Sequence, residues 1–269
     1  MGNIKDSFTF DDVTLVPKYS SILPSEAATS IKISHNLNLQ IPLMSSAMDT
    51  VTESKMAIAL SKSGGIGVVH RNLSIQKQVQ EVKKVKKNNF PVGAAIGVNP
   101  KDIERVYKLL EAKVNLIVID TAHGHTQKVL SMIKKIKKKF KKSTLCAGNI
   151  ATGKAAKFLA DAGVDIVKVG IGPGSICTTR LVTGIGVPQL SAILEVKKAL
   201  KNYKTSIISD GGIKFSGDIA KAIAAGADAV MIGSLFSGTI ESPGKTFKYK
   251  GKLYKNFRRM GSVEAISVV

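Results

Sequence analysis

The stretch KVGIGPGSICTTRLVTGIGVPQ, residues 168–189, decides how the rest of the chain is organised. An apolar run leads into it, and three spaced glycines follow that run: Gly170, Gly172 and Gly174. A polar cluster comes next: Ser175, Cys177, Thr178, Thr179 and Arg180. An isolated cysteine is more often a small buried side chain than a reactive group. Here the glycines let the backbone approach a ligand, and the thiol lies beside N–H groups and an arginine, which favours a nucleophile at Cys177.

The apolar run before these glycines is one of eight that alternate with helical patterns. They predict strands at residues 41–45, 65–70, 92–97, 116–120, 144–149, 166–171, 206–210 and 229–233. Short strands that are apolar throughout are typical of parallel sheets covered by helices. Eight repeats of roughly 25 residues favour one catalytic TIM (β/α)8 barrel over residues 1–269, with residues 1–40 as an arm that closes one end. A doubly wound sheet is the alternative, but no G-x-G-x-x-G motif follows the first strand.

Composition narrows the classes of protein. Two cysteines give no disulfide framework and no cysteine-based metal spacing, which suits a reducing cytoplasm. The sequence has no apolar run of membrane-spanning length, so we expect no membrane partner. The net charge of +21 is carried mainly by lysines on the solvent faces of helices, as in residues 134–142. Few aromatic residues accompany these lysines, so nucleic acid is a less favoured partner than an anionic small molecule.

Polar residues follow almost every predicted strand. They are Ser45, Ser46, His70, Asp120, Asn149, the loop of Cys177, Asp210, Gly211, Gly212, Gly233 and Ser234. In a parallel barrel these positions meet at one rim, where active sites lie. Gly211-Gly212 and Gly233-Ser234 follow the seventh and eighth strands, where barrels commonly bind phosphate through backbone N–H groups. The residues alone therefore predict a barrel enzyme with a cysteine nucleophile and a phosphorylated substrate.

Several motifs resemble the family of inosine monophosphate (IMP) dehydrogenase and guanosine monophosphate (GMP) reductase. They are SSAMDTVTES (residues 45–54), GGIGVVHRN (64–72), GPGSICTTR (172–180), GIGVPQ (184–189), SDGGIKFSGDIAKAIAAGADAVMIGS (209–234) and ESPG (241–244). The resemblance covers nearly the whole chain, and AMDTVTE and GVPQ are closer to the dehydrogenase. It implies oxidation of IMP to xanthosine monophosphate (XMP) with NAD, through a covalent bond between Cys177 and C2 of the purine.

The resemblance also implies roles for individual residues. Cys177 and Thr179 would be catalytic, with Thr179 handling the hydrolytic water. The substrate would contact Ser46, Met48, Asn149, Ser175, Asp210, Gly211, Gly212, Gly233, Ser234, Phe257, Arg258, Arg259, Met260 and Gly261. The cofactor would contact Asp120, Thr121, Ala122, Gly170, Ile171 and Gly172. Carbonyl groups of Gly172, Gly174 and Cys177 would bind potassium, and the family's assembly implies a homotetramer.

The chain departs from the family pattern at three places. Residues 85–92 leave no room for the pair of CBS domains that many members carry there. Phe257 and Arg259 stand where the family usually has tyrosine and glycine, so a phosphate contact would be lost. The family continues past the position of Val269 with a flap bearing an arginine base, a last helix and cation ligands. For a barrel truncated in this way, we expect an impaired hydrolytic step.

Two other functions are compatible with the same residues. One is the sister activity, an NADPH-dependent GMP reductase, which needs no hydrolytic flap. Ile176 and the run Gly186-Val187-Pro188 are closer to the dehydrogenase pattern and favour the dehydrogenase. The other is a nucleotide-binding pseudoenzyme, against which the retained Cys177 and Thr179 argue.

Overall fold

Eight parallel strands close into a barrel in the computed structural model, which describes residues 6–258 and residue 260. The barrel strands are β3 (Leu43–Ser45), β4 (Ile66–Val69), β5 (Val92–Ile96), β6 (Leu116–Asp120), β7 (Leu145–Ile150), β8 (Ile166–Val169), β9 (Ser206–Asp210) and β10 (Ala229–Ile232). Each strand pairs with the next along the chain, and β10 pairs with β3 to complete the circle. The predicted TIM barrel is confirmed, with strand ends shifted by up to two residues.

Helices cover the outside of the barrel. They are α1 (Ser54–Lys62), α2 (Ile75–Lys86), α3 (Asp102–Glu111), α4 (Gln127–Lys139), α5 (Gly153–Asp161), α7 (Gln189–Ala199) and α8 (Ser216–Ala224), whereas the short helices α6 (Thr179–Thr183) and α9 (Ser234–Ser237) lie in the segments that follow the sixth and eighth barrel strands. Short 3-10 turns occupy Phe10–Asp12 and Pro24–Glu26. The lysine-rich helix α4 buries Val129, Met132, Ile133 and Ile136, while its lysines are mostly on the outer side. Each such apolar side chain contributes roughly 1.5–3 kcal/mol when buried.

A β-hairpin closes the barrel at the end where its strands begin. It consists of β1 (Ile31–Ser34) and β2 (Leu37–Leu39), which pair antiparallel. Its buried side chains Ile33, Leu37 and Leu39 join the apolar cluster of the barrel interior. Apolar packing at this end leaves the opposite rim, where the strands finish, as the place for polar chemistry.

A second hairpin near the end of the described chain is absent from the sequence-based prediction. It pairs β11 (Thr246–Tyr249) with β12 (Lys252–Lys255), and both strands are largely exposed. Lys250 and Gly251 at its turn both have positive φ, of 46° and 78°, which is the geometry of a two-residue type I′ turn. Lys255 anchors the hairpin by donating to the carbonyl oxygens of Thr239 and Ser242, at 2.8 and 2.6 Å.

The first barrel helix, α1, begins at Ser54 with Glu53 as its N-cap, and the Glu53 side chain makes no capping hydrogen bond. The Ser54 amide donates to Glu81 of α2, at 2.8 Å. Asp49, which precedes the helix in the sequence, takes no part in capping it.

Candidate active site

A cleft of about 190 Å³ opens at the rim where the barrel strands end. Eleven of the predicted site residues line it together: Ser46, Met48, Gly174, Ser175, Cys177, Asp210, Gly211, Gly212, Gly233, Ser234 and Phe257. These residues come from the ends of β3, β8, β9 and β10 and from the segment after β12, so the barrel brings together positions more than two hundred residues apart.

The loop of Cys177 is held by Arg180. Its Nη2 donates to the Val187 carbonyl oxygen at 2.6 Å, which ties α6 to the end of the loop. The aliphatic part of Arg180 runs beside Gly172 and Gly186, where an added Cβ would lie 2.7 and 2.5 Å from its Cγ. Gly172 also has φ +78°. Glycine is therefore needed at both positions because a side chain would displace the arginine that shapes the loop.

Cys177 is partly exposed and points its thiol at a hydroxyl. Its Sγ lies 3.2 Å from Thr179 Oγ1, and Thr179 is the first residue of α6. The second cysteine, Cys146, is fully buried in the barrel interior. Burial raises the pKa of the Cys146 thiol to about 12, so it stays protonated and unreactive. Of the two thiols, Cys177 alone can meet a ligand in the cleft.

A buried lysine lies beneath the cleft, and sequence analysis missed it. Lys168 Nζ, on β8, is 2.9 Å from Asp120 Oδ1 and 2.5 Å from Asp210 Oδ2, and it also contacts Asn149 Oδ1. Burial opposes the charge of Lys168, but the two carboxylates outweigh it and raise the pKa of the ammonium. A lysine inside an otherwise apolar strand was the available signal, because a buried cation needs anionic partners.

Asn149 connects this lysine to the loop glycines. Its Nδ2 donates to Asp210 Oδ2 at 2.9 Å and to the Gly170 carbonyl oxygen at 2.8 Å. The backbones of Gly170 and Asp210 approach so closely that a Cβ on Gly170 would lie 2.0 Å from the Asp210 carbonyl oxygen. Asn149 is not among the residues that line the cleft. It is connected to the cleft through its hydrogen bond to Asp210, which does line it.

Backbone turns of unusual conformation form part of the wall of the cleft. Gly211 and Gly212 have φ +91° and +80°, a conformation that residues with a side chain adopt at a cost of about 1–2 kcal/mol. A Cβ on Gly233 would lie 3.3 Å from Met48 Sδ and 3.4 Å from Ser46 Oγ. The wall therefore consists of backbone and small side chains, which lets a ligand approach the backbone closely.

The segment after the second hairpin packs on the loop that follows β3. Arg258 Nη2 lies 2.6 Å from Asp49 Oδ2, and Asn72 Nδ2 donates to the same oxygen at 2.9 Å. Burial of Asp49 favours its neutral form, but the hydrogen bonds from Arg258 and Asn72 outweigh it and hold the pKa of the carboxyl below 3.8. The Asp49 amide lies 3.3 Å from Met260 Sδ. Arg258 and Met260 thus hold this segment in place, while Arg259 and Gly261 lie outside the described residues.

The residues predicted for the cofactor lie beside the cleft, across the Lys168 cluster. Thr121 Oγ1 donates to the Gly148 carbonyl oxygen at 2.7 Å, and the Asp120 side chain is about a quarter exposed. Ala122 is exposed and Ile171 partly so. Lys168 links Asp120 to Asp210, so the predicted cofactor site and the predicted substrate site share one cation.

Two of the predicted potassium ligands, Gly174 and Cys177, share one turn. The Cys177 amide donates to the Gly174 carbonyl oxygen at 3.0 Å, and Gly172 precedes this turn. Within the described part of the chain, no group of three histidine, cysteine or carboxylate side chains could hold a metal ion. A cation here would therefore depend on carbonyl oxygens, which are the ligands that potassium takes in proteins.

His70 is a structural residue in this arrangement. It is buried; its Nδ1 accepts from the Asn72 amide at 3.1 Å and its Nε2 lies 3.4 Å from Glu53 Oε1.

None of the helices within residues 6–258 combines the length and the apolar character needed to cross a bilayer.

Comparison with known proteins agrees with this geometry. Residues 7–268 match the family model described as IMP dehydrogenase / GMP reductase domain. An inosine-5'-monophosphate dehydrogenase of Borreliella burgdorferi is 46% identical over 312 aligned residues, which cover 97% of this chain and 77% of the relative. The enzyme of the same name from Cryptosporidium parvum is 43% identical, covering 98% and 76%. That of Aquifex aeolicus is 37% identical, covering 98% and 80%.

Proposed function

The chain belongs to the IMP dehydrogenase / GMP reductase family, and we propose how its own residues perform the reaction of an IMP dehydrogenase. The activity is the oxidation of IMP to XMP with NAD. The observation that carries the residue assignment is the cleft in which Cys177, Asp210 and the glycine turns meet. Cys177 offers a nucleophile for the purine, Asp210 offers a carboxylate for the ribose, and the glycine turns offer backbone N–H groups for the phosphate.

Cys177 is the nucleophile. Its thiolate adds to C2 of the purine of IMP, and a hydride leaves that carbon. NAD, when bound, accepts the hydride. The product on the enzyme is a thioimidate on Cys177, which a water molecule hydrolyses to XMP with release of the thiol. Thr179 Oγ1, at 3.2 Å from Cys177 Sγ, is close enough to orient that water and to exchange a proton with it.

The nucleotide is held by groups from three strands. Asp210 Oδ2 is occupied by Lys168 and Asn149, so Oδ1 is the oxygen that accepts hydrogen bonds from the ribose hydroxyls. Ser175, Gly212, Gly233 and Ser234 surround the phosphate. Ser46 and Met48 contact the remainder of the nucleotide. Phe257 contributes only apolar contact at the place where a hydroxyl could reach the phosphate.

The cofactor and a cation occupy the side of the cleft next to this pocket. Asp120, Thr121 and Ala122, with residues 170–172, face the nicotinamide nucleotide, and the exposed edge of Asp120 supports that placement. The carbonyl oxygens of Gly172, Gly174 and Cys177 bind potassium. Such a cation would hold the loop of Cys177 in one conformation.

Two further proposals concern the surroundings of the protein. A homotetramer would cover part of the apolar surface that the N-terminal segment exposes, where Val16 and Tyr19 are 80% and 94% exposed. A reducing compartment such as the cytoplasm suits a nucleophile that must remain a free thiol. The positive charge steers anionic nucleotides towards the protein, and we assign it no role in binding nucleic acid.

A pair of cysteine variants tests the assignment. Cys177→Ala should abolish NADH formation from IMP and NAD, with a fall of at least about 10³-fold, since covalent chemistry is lost. Cys146→Ala is the matched control because its thiol is buried and protonated, and it should retain turnover. Substantial NADH formation by Cys177→Ala would refute the assignment. Equilibrium binding of IMP should survive in both variants.

A further inference from the structure

Lys168 has no part in the chemistry described so far, although it is the most deeply buried charged group of the site. The side chain of Lys168 is 4% exposed, and its Nζ contacts two carboxylates and an amide oxygen. Burying one cation between two anions costs desolvation, and a hydrophobic side chain at this position would avoid it. The arrangement therefore needs a reason other than stability.

The geometry gives that reason through Asp210. Both described contacts of its carboxylate, from Lys168 Nζ and Asn149 Nδ2, go to Oδ2. With Oδ2 fixed from below, Oδ1 is turned towards the cleft, which Asp210 lines. Without the lysine, only the amide of Asn149 would orient the carboxylate.

The same nitrogen holds a second carboxylate that lies outside the cleft. Asp120 Oδ1 is 2.9 Å from Lys168 Nζ, on the strand end next to Asn149. Two carboxylates that share one cation repel each other once the cation is removed, and burial strengthens that repulsion. Loss of the lysine should then displace Asp210 as well as release it.

We propose that Lys168 is a positioning residue that joins the nucleotide side of the site to its cofactor side, by holding Asp210 for the ribose and Asp120 for the cofactor on one ammonium group. This inference rests on the roles proposed above for the two aspartates. It makes the charge of Lys168, rather than its packing, the quantity that controls the affinity for IMP.

Steady-state kinetics of Lys168 variants test the proposal. Lys168→Met should raise the KM for IMP by roughly 10- to 100-fold, the loss expected when a hydrogen bond to a charged group is misplaced. Lys168→Arg keeps the cation and should stay close to wild type. Adding Asp120→Asn to Lys168→Met removes the repulsion on Asp210, so the KM for IMP should fall again, but only to a value above that of Asp120→Asn, because Asp210 still lacks its ammonium partner. A loss of packing alone would not be repaired in this way.

Lys137→Met is the matched control. Lys137 is also partly buried and lies 2.7 Å from Asp165 Oδ2, but this pair is remote from the cleft. Its loss should lower thermal stability and leave the KM for IMP unchanged. Any effect common to Lys137→Met and Lys168→Met is a general cost of breaking a buried ion pair.

Three results would overturn the proposal. The first is a folded Lys168→Met with a wild-type KM for IMP, and the second is a double variant no better than Lys168→Met. The third result applies if Lys168→Met does not fold. The double variant is then compared with Asp120→Asn alone, and the third result would be the same KM for IMP in these two variants. A wild-type protein that forms no NADH from IMP would instead refute the proposed function, so the two failures are distinguishable.

Discussion

Gly170 gives the sharpest test of how the backbone builds the site. A Cβ at this position would lie 2.0 Å from the Asp210 carbonyl oxygen, whereas carbon and oxygen in contact are normally about 3.3 Å apart. Gly170→Ala must therefore separate the ends of β8 and β9 by more than about 1 Å. A displacement of this size in a catalytic site costs on the order of 10²-fold in rate. We expect kcat/KM for IMP to fall by about that factor.

Gly217→Ala is the control for Gly170→Ala. Gly217 lies in α8, nothing is within 4 Å of its added Cβ, and alanine favours a helix by up to about 1 kcal/mol. The control should melt at or above the wild-type temperature with unchanged kinetics. The assay is NADH formation at a temperature where circular dichroism shows each variant to be folded. Wild-type kcat/KM in a folded Gly170→Ala would refute the argument that this close approach positions Asp210 and the loop.

Two other predictions concern the segment after the second hairpin. Phe257→Tyr should lower the KM for IMP by roughly 10-fold or more, because a hydroxyl at this wall of the cleft can donate to the phosphate. Hydrogen bonds to charged groups contribute about 1.5–3 kcal/mol. An unchanged or raised KM would mean that the phosphate binds elsewhere. Asp49 is held below its ordinary pKa of 3.8 by Arg258 and Asn72, so its stabilising effect is complete above that pH and is lost as the pH falls through the lowered pKa. Thermal melting of the wild type should therefore drop more steeply than that of Asp49→Asn below pH 3.8, and parallel curves would contradict the sign of the shift.

The barrel itself could be predicted because its signal is local. Strands such as β5 and β6 are continuous apolar runs, and the glycines and polar residues that follow them mark the rim. The cleft could be predicted for the same reason, since parallel strands necessarily bring their ends together. Cys177, Asp210 and Gly233 meet in the structure because each lies at the end of a barrel strand or in the loop that follows it.

What sequence analysis missed depends on contacts between distant residues. Lys168 is a single polar residue in an otherwise apolar strand. Its partners Asp120 and Asp210 are 48 and 42 residues away along the chain. Asp49 has the sequence position of a helix cap, but its partner Arg258 is 209 residues further along. Such pairings become visible only when the barrel has closed. The hairpin of β11 and β12 is the exception, because its Lys250-Gly251 turn is a local signal.

The central claim is that Cys177 forms a covalent bond with the nucleotide. The most direct measurement is mass spectrometry of protein mixed with IMP and NAD and quenched with acid during the first turnover. The account predicts a mass increase of one nucleotide, on the peptide that contains Cys177, together with NADH. NADH formation without this adduct, or an adduct on the peptide of Cys146, would contradict it.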